Sequence, residues 1–395
     1  MTAAVASQSL NKPRNAIWFD QILILLALAL MAIGFVMVSS ASMPYADSAT
    51  YANNPYHFIM RHGIYLCLAL TAGLVTIAVP MEIWQKSGPY LLLFALAMLV
   101  LVLIIGREVN GSKRWLDLGI ITIQVSEVTK LAVVSYIAGY LVRRRQELIT
   151  QIKGFLKPLV VLMLVTFALL LEPDFGASVV ILVTALSMMF LAGARLWQFV
   201  TLSAGLGIGL ALLAVIQPYR WQRLQTFLDP WQDPFGTGYQ LTQSLIAFGR
   251  GEFWGLGLGN SIQKLAYLPE AHTDFVFAVL AEELGFIGVV SVLALYMFLL
   301  YRMMIIGRRA VDCGQLFSGY MAWGLGITMA LQAVINIGVN SGVLPTKGLT
   351  LPLISYGGSS LIVCTVAIAI VLRVDYETRV KNFYDQGIVP GGKAA

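Results

Sequence analysis

Long apolar runs dominate this chain of 395 residues and limit it to a fold that spans a membrane. Hydrophobic residues make up 58% of the sequence, charged residues 12%, and mean hydropathy is +0.79. A soluble domain of this length cannot hide that much apolar surface in one core. The runs suited by length to cross a bilayer as helices lie at about residues 18–39, 57–79, 88–106, 125–142, 157–171, 177–193, 200–217, 275–301, 317–339 and 353–372. The sequence therefore predicts an all-α polytopic membrane protein with about ten transmembrane helices.

The distribution of basic residues predicts the orientation of these helices. With the N-terminus inside, the inner segments carry 16 of the 26 Lys and Arg residues and the longer outer segments carry 8. This bias follows the positive-inside rule. We expect a cytoplasmic tail at 1–17, a membrane domain at 18–372 with a large periplasmic loop at 218–274, and a cytoplasmic tail at 373–395. The net charge of +6 thus reflects topology, and no basic patch with interleaved aromatic residues indicates nucleic-acid binding. The first run is too long and too late for a cleaved signal peptide.

Asp274 is the last charged residue before the apolar run that begins at Phe275. A carboxylate at the boundary between water and hydrocarbon is partly desolvated, and desolvation raises its pKa towards values useful in proton transfer. The alternative is that Thr273 or Asp274 caps the N-terminus of the following helix. The sequence alone leaves these two interpretations open.

Ionisable residues within the apolar runs are the next candidates, because a charge in a bilayer is costly and usually functional. Glu127 and Lys130 are three residues apart and share a helix face, so they either neutralise each other or line a polar cavity. Glu282 and Glu283 lie a little over two helical turns beyond Asp274, and we expect at least one to face the bundle interior. The candidates for pairing with them are Arg61 and His62.

Three polar segments on the outer side supplement this list. Lys113 and Arg114 are cations on the face from which cations are biased away, which favours binding of an anion at the outer leaflet. Residues 172–174 read Glu-Pro-Asp and predict a tight turn with a structural role. Residues 344–348 and 355–360 flank an apolar stretch too short to span, which predicts a re-entrant or broken element packed in protein.

Cysteine, histidine and glycine patterns exclude other classes of site. The three cysteines offer no disulfide framework on the outer side, and the three histidines are too scattered for a recognisable metal cluster. The glycine-rich run at 255–259 lacks the context of a nucleotide-binding loop, and we expect turns there instead.

Several of these segments together resemble one family, the SEDS proteins, which polymerise peptidoglycan glycan strands in bacteria. The matching segments are residues 110–115, 124–130, 172–176, 269–285 and 351–360. The resemblance extends over about residues 18–380, and segments 229–240 and 342–348 resemble the division branch of the family, with the elongation branch as the near alternative. Val125 stands where the family often has proline.

The resemblance implies an enzyme of the bacterial inner membrane at the division septum, with its active site facing the periplasm. Its substrates are lipid II and the nascent glycan strand. The reaction is an inverting displacement that releases undecaprenyl pyrophosphate, with or without a divalent cation (Mg²⁺ or Mn²⁺) at the pyrophosphate. Its implied partners are a class b penicillin-binding transpeptidase and other divisome membrane proteins.

The resemblance also implies roles for individual residues. Asp274 corresponds to the essential aspartate of the family and is the candidate catalytic base. The candidate substrate-binding residues are Lys113, Arg114, Trp115, Gln124, Glu127, Lys130, His272, Glu282, Glu283, Ser355 and Ser359.

Two other functions fit a protein of this composition. A lipid II transporter or flippase would also need many spans and a charged cavity, but no internal repeat is found in the sequence, and the charges cluster towards the outer side. A non-catalytic divisome scaffold that recruits a transpeptidase would give no reason for Asp274, Glu127 and Lys130 to lie in the membrane region.

Overall fold

A computed structural model describes the chain at residues 19–46, 54, 56–109, 112–117, 122–195, 197–198, 200–201, 204–205, 207, 209, 225–265, 267–345 and 348–385. The described part is mainly helical. Its helices are α1 (Gln21–Ala46), α2 (His57–Ala78), α3 (Met81–Ile105), α4 (Val125–Arg143), α5 (Arg145–Thr150), α6 (Ile152–Leu171), α7 (Phe175–Leu191), α8 (Tyr239–Gly251), α9 (Val276–Asp312), α10 (Leu316–Asn340) and α11 (Gly358–Asp385).

The helices match the predicted apolar runs closely. Eight of the described helices are long and apolar enough to cross a membrane, namely α1, α2, α3, α4, α6, α9, α10 and α11. Helix α7 is a shorter apolar helix of 17 residues. The remaining predicted run, 200–217, lies mostly outside the described residues. The prediction of an all-α polytopic membrane fold with about ten helices is confirmed.

Three helices form the centre of the bundle. The apolar windows of α4, α10 and α11 are 78%, 61% and 72% buried, whereas those of α2, α3 and α9 are 22–28% buried and present most of their surface outwards. Helix α10 packs against α4, α7, α9 and α11. A charged residue on α4 is therefore shielded from lipid by neighbouring helices, which is the usual arrangement for intramembrane charges.

Two helices extend furthest past the predicted ends of their spans. Helix α9 was predicted to end near 301 and α11 near 372, but they reach Asp312 and Asp385. Both extensions are charged. Arg302 of α9 pairs with Asp20 at 2.6 Å, and Arg379 of α11 pairs with Asp375 one turn earlier at 2.7 Å. These ion pairs stabilise helix beyond the apolar stretch that the sequence scan detects.

Helix α9 is interrupted at Gly285, where the preceding loop forms hydrogen bonds with the backbone of the helix. Gly285 has φ 65° and ψ −163°, a backbone conformation outside the helical region. The loop supplies hydrogen bonds there: Leu256 N–H donates to Glu282 O at 3.0 Å, and Phe286 N–H donates to Glu252 O at 2.9 Å. A Cβ on Gly255 would lie 2.2 Å from Glu283 O, so only glycine permits this approach. The predicted turns at 255–259 are confirmed.

A small antiparallel sheet, which the sequence did not predict, lies between α3 and α4. Its strands are β1 (Arg107–Val109), β2 (Ser112–Asp117) and β3 (Thr122–Gln124), in the order β1-β2-β3. Trp115 of β2 is paired with Gln124 of β3. Strands of three to six residues with mixed polarity show too little alternation to stand out in a sequence. The sheet carries Lys113, Arg114 and Trp115 on its central strand.

The segment between α10 and α11 is irregular and packs inside the protein. Leu349, Leu351, Leu353 and Ile354 are buried. A Cβ on Gly34 of α1 would lie 2.7 Å from the Ile354 Cα, so the segment passes directly against α1. This confirms the predicted broken element, since irregular backbone at such a depth is tolerated only where protein surrounds it.

Candidate functional site

Asp274 lies at the entrance to α9, and two asparagines of α10 hold its backbone. Its carbonyl oxygen accepts a hydrogen bond from Asn336 Nδ2 at 2.9 Å and another from Asn340 Nδ2 at 2.9 Å. Asn336 Nδ2 also donates to Leu349 O in the irregular segment. The position of Asp274 is therefore tied to the central helix of the bundle.

The side chain of Asp274 does not cap α9. The residue before the first helical turn is Phe275, and no side chain of its own segment caps the helix there. Asn340 Oδ1 instead accepts the hydrogen bond from Ala278 N–H at 3.1 Å. Thr273 Oγ1 donates to Glu270 Oε2 at 2.6 Å and is no cap either. The capping interpretation is wrong, and the Asp274 carboxylate makes no hydrogen bond or ion pair with any of the described residues.

The surroundings of this carboxylate weaken its acidity. Burial, reinforced by the negative charges of Glu270 and Asp174, raises the pKa of Asp274 to about 7, although Arg114 acts in the opposite direction. A Cβ on Gly348 would lie 2.8 Å from Asp274 Oδ2, so the carboxylate rests against a backbone that has no side chain. A carboxyl with a pKa near neutrality is suited to accept a proton and to release it again.

The cations of the small sheet differ in their contacts. Arg114 Nε donates to Glu172 O at 3.1 Å, and Arg114 Nη2 donates to Pro173 O at 2.7 Å. Arg114 thus fixes the turn between α6 and α7. Lys113 is exposed on the same strand, and Trp115 is half-buried beside it. Their predicted contacts with substrate stay predictions.

The Glu172–Asp174 turn has the structural role that its proline suggested. Asp174 caps α7, since its Oδ1 accepts a hydrogen bond from Ala177 N–H at 3.2 Å. Glu172 is fully buried. Burial, together with the neighbouring Asp174, raises the pKa of Glu172 to about 8 against the opposing effect of Arg114. Glu172 is therefore mainly protonated at neutral pH.

His272 belongs to an aromatic cluster two residues before Asp274. Its ring centroid lies 4.7 Å from that of Phe58 and 5.5 Å from that of Tyr356. Its backbone oxygen accepts a hydrogen bond from Tyr356 N–H at 3.0 Å. Burial lowers the pKa of His272, so the ring is mainly uncharged at neutral pH despite the opposing charge of Glu270. The cluster joins the loop before α9 to α2 and to the irregular segment before α11.

Gln124, Ser355 and Ser359, also predicted to bind substrate, form hydrogen bonds within the protein. Ser359 Oγ accepts from Gln124 N–H at 3.0 Å and donates to Thr122 O at 3.0 Å, which fastens β3 to α11. Ser355 Oγ accepts from Leu351 N–H at 2.9 Å within the irregular segment. These contacts shape the walls around the site, and a direct contact with substrate stays a prediction.

Glu127 and Lys130 form a buried ion pair in α4. Lys130 Nζ and Glu127 Oε1 are 2.7 Å apart, and the two side chains are 2% and 3% exposed. Glu127, Lys130 and Gln332 of α10 line one small cavity. The two residues therefore neutralise each other, whereas the accessible lining of this cavity is apolar. The predicted polar cavity beneath the outer loops stays a prediction.

Glu282 and Glu283 face the interior but pair with the loop before α9. Glu282 Oε1 lies 3.2 Å from Arg250 Nε, and Glu283 Oε1 lies 2.7 Å from Lys264 Nζ. Ser40 Oγ donates to Glu283 Oε1 at 2.7 Å. The partners are therefore cations of the loop and α8, and the expected pairing with Arg61 or His62 is wrong. These contacts hold the loop against the break at Gly285.

The sequence interpretation missed the asparagines that position Asp274. Gln332, Asn336 and Asn340 recur every four residues, so they share one face of α10, and all three are buried. These amides carry no charge, so the pattern of ionisable residues does not reveal them. A repeated amide on one face of an apolar span was the available signal, because a buried amide in a membrane needs partners.

Within the described part of the chain, no group of three or more His, Cys, Asp or Glu side chains is placed to hold a metal ion. The assistance of a divalent cation stays a prediction.

Comparisons with known proteins agree with this architecture. The model of the FtsW/RodA/SpoVE cell cycle protein family matches residues 20–380. A probable peptidoglycan glycosyltransferase FtsW of Idiomarina loihiensis is 55% identical over 91% of this chain and 88% of its own length. The FtsW of Escherichia coli O157:H7, of the same description, is 51% identical over 93% of this chain and 88% of its own length.

Solved structures show the same fold. One chain from a peptidoglycan synthase complex that coordinates polymerization and crosslinking has a TM-score of 0.75 and 29% identity, covering 91% of this chain and 98% of that one. The rod shape determining protein RodA of Thermus thermophilus has a TM-score of 0.67 and 29% identity, covering 92% of this chain and 97% of its own. This chain belongs to the FtsW/RodA/SpoVE family of cell cycle proteins.

Proposed function

We propose that this protein is a peptidoglycan glycosyltransferase of the division type, which polymerises lipid II into glycan strands, and that Asp274 is its general base. The proposal rests on the position of Asp274 and on the pKa of its carboxyl group. Its backbone is held by Asn336 and Asn340. Its carboxyl has a pKa of about 7 and forms no ion pair with any of the described residues. The FtsW relatives, at 51–55% identity, support the substrate class.

In the proposed reaction Asp274 accepts the proton of the 4-hydroxyl of an incoming GlcNAc. The hydroxyl oxygen then forms a bond to the anomeric carbon of the growing strand's reducing-end sugar. The bond from that carbon to the pyrophosphate oxygen breaks, and undecaprenyl pyrophosphate leaves. The donor is α-linked and the product is β-linked, so a single displacement with one base accounts for the change in configuration.

The leaving pyrophosphate needs nearby positive charge. Lys113 is exposed on β2, next in sequence to Arg114, whose charge acts on Asp274. We assign Lys113 to the pyrophosphate. Arg114 supports it by fixing the turn at Glu172 and Pro173 through two hydrogen bonds. The two roles differ because the Arg114 side chain already donates hydrogen bonds to this turn, whereas the Lys113 side chain is exposed.

The protein is a multi-pass membrane protein. We propose that it lies in the inner membrane at the division septum with the loop 218–274 and Asp274 on the periplasmic side. The proposed partner is a class b penicillin-binding transpeptidase. The similarity to a chain from a complex that combines polymerization with crosslinking supports this partner.

One assay separates this function from transport and scaffolding. Purified protein, alone and with its transpeptidase partner, is given labelled lipid II in detergent or liposomes, and the products are separated by gel electrophoresis. Glycan polymer is the expected product. Translocation of lipid II across liposomes without polymer would instead support a transporter, and neither activity would support a scaffold.

A further inference from the structure

The C-terminal end of α10 takes one of its hydrogen bonds from α8, the helix in the loop before α9. The last four carbonyl groups of a helix have no partner within that helix. In α10, the turn at 341–344 donates backbone N–H groups to the carbonyls of residues 337–339, at 2.8–3.2 Å. The next carbonyl, Asn340 O, accepts instead from Ser244 Oγ of α8 at 2.6 Å. Both Ser244 and Asn340 are fully buried.

The side chain of Asn340 holds the segment that carries Asp274. Its Nδ2 donates to Asp274 O at 2.9 Å, and its Oδ1 accepts from Ala278 N–H, in the first turn of α9, at 3.1 Å. Asn340 therefore joins two parts of the protein, because its backbone binds α8 and its side chain binds the start of α9. A shift of α8 against the end of α10 would be transmitted to Asp274 through this one residue.

Helix α8 also packs directly against the first part of α9. The ring centroids of Phe248 and Phe277 are 5.9 Å apart. A Cβ on Gly251 would overlap with Ala281 O, so the end of α8 rests on the backbone of α9. The break in α9 separates residues 276–284 from the rest of that helix. This short helical part, which follows Asp274, is therefore held by both α8 and α10.

We propose that Ser244 is a positioning residue for Asp274, and that its hydrogen bond to Asn340 O fixes the end of α10 from which the Asn340 side chain holds the base. This inference rests on the proposed function of Asp274. Ser244 acts through Asn340 and does not contact substrate. Without the Ser244 hydroxyl, Asn340 O would be left buried without this partner, which is costly, and α8 and α10 would move apart to restore a hydrogen bond. Small displacements of a catalytic group lower the rate strongly.

Two variants of α8 separate this contact from the general stability of the helix. Ser244→Ala removes the hydrogen bond to α10. Thr242→Val is the matched control, because Thr242 Oγ1 donates to Pro230 O, within the loop itself, at 3.2 Å. Each change removes one buried hydroxyl group from the same helix. Only Ser244→Ala should disturb the residues around Asp274.

Hydrogen exchange tests the structural link without an assay of activity. Deuterium uptake is measured by mass spectrometry on the protein in complex with its transpeptidase partner in lipid nanodiscs. In Ser244→Ala, peptides that cover residues 275–284 should exchange about fivefold faster than in the wild type, since a typical hydrogen bond contributes about this factor to local stability. In Thr242→Val these peptides should exchange as in the wild type. Unchanged uptake at 275–284 in Ser244→Ala, or an equal rise in both variants, would overturn the proposal.

Kinetics distinguish positioning from substrate contact. Ser244→Ala should lower kcat for glycan polymerisation roughly tenfold and leave the KM for lipid II unchanged. Thr242→Val should keep most of the wild-type kcat. A raised KM with unchanged kcat in Ser244→Ala would overturn the positioning role.

A double variant tests whether the effect passes through Asn340. Asn340→Ala already removes the side-chain contacts with Asp274 and Ala278. In this background Ser244→Ala should lower kcat little further, because two residues that act along one path are not additive. A second tenfold loss would overturn the proposed path. If the wild-type protein makes no polymer, the proposed function fails, while hydrogen exchange still decides whether Ser244 holds residues 275–284.

Discussion

Replacement of Gly348 by alanine tests whether the position of the Asp274 carboxylate matters for catalysis. A Cβ at Gly348 would lie 2.8 Å from Asp274 Oδ2, and ordinary contact begins at 3.4 Å. The carboxylate oxygen must therefore move by the difference between 3.4 and 2.8, which is 0.6 Å. A misplacement of about 1 Å can cost about a hundredfold in rate, so on a logarithmic scale this shift costs roughly ten- to twentyfold.

The stability of the variant should hardly change. The next atom near the new Cβ is Asp274 Cγ at 3.7 Å, an ordinary contact, and Gly348 is itself exposed. Thermal unfolding in detergent should therefore give a Tm close to that of the wild type.

The assay is the initial rate of glycan polymer formation from labelled lipid II, with Gly357→Ala as the matched control. Gly357 lies in the same irregular segment, and the atom nearest to a Cβ there would be Thr350 Cγ2 at 3.2 Å, with no atom of Asp274 among its three nearest neighbours. Gly357→Ala should keep most of its activity. Equal rates for the two alanine variants, or loss of folding in Gly348→Ala, would refute the reasoning.

Three further predictions follow from the buried charges. Asp274 must be ionised to act as a base, and its pKa is about 7. The polymerisation rate should therefore rise with pH to a plateau above neutrality, and at two pH units below the pKa it should be about a hundredth of the plateau. A flat rate profile between pH 5 and 8 would contradict this. The pKa of Glu172 is about 8 in the folded protein, against an ordinary value of 4.5. Between these two pH values the native state binds more protons than the unfolded state, so the stability of the wild-type protein falls as pH rises. Glu172→Gln removes this dependence, and the Tm advantage of the variant should grow from pH 5 to pH 8, whereas parallel Tm curves would count against a buried neutral acid. Lys130→Met leaves Glu127 without its ion-pair partner and should lower the stability by about 3–5 kcal/mol, whereas the additional change Glu127→Gln should restore most of the lost stability. Thermal melting of the single and double variants tests this prediction. A double variant no more stable than the single variant would contradict it.

The sequence predicts most of the membrane architecture, because membrane-spanning helices leave a strong signal of length and composition. Predicted and observed bounds differ most where charged residues extend a helix beyond its apolar stretch, as Arg302 and Arg379 do. The small sheet and the break at Gly285 leave no comparable signal. Both depend on contacts between segments, such as the hydrogen bond from Leu256 N–H to Glu282 O.

The candidate site is predictable only in part for the same reason. Asp274 stands out because it is the last charge before an apolar run. Its true neighbours could not be inferred from local pattern, since Asn336, Asn340 and Gly348 follow it by more than sixty residues. Glu282 and Glu283 were recognised as buried acids. Their partners, Arg250 and Lys264, come from a loop whose path only the fold determines.

The most direct test of the account is the polymerisation rate of Asp274→Asn with purified protein, transpeptidase partner and labelled lipid II. Asparagine preserves the size of the side chain, and the contacts of Asn336 and Asn340 reach only the backbone carbonyl, so folding and membrane insertion should survive. Asp229→Asn is the matched control, because Asp229 lies in the same loop, 218–274, and among the described residues its carboxylate only accepts a hydrogen bond from Trp231 N–H at 3.2 Å. Loss of a positioned base predicts a fall of roughly a hundred- to ten-thousandfold in rate for Asp274→Asn and little change for the control. An Asp274→Asn protein that keeps more than about a tenth of the wild-type rate would contradict its assignment as the general base.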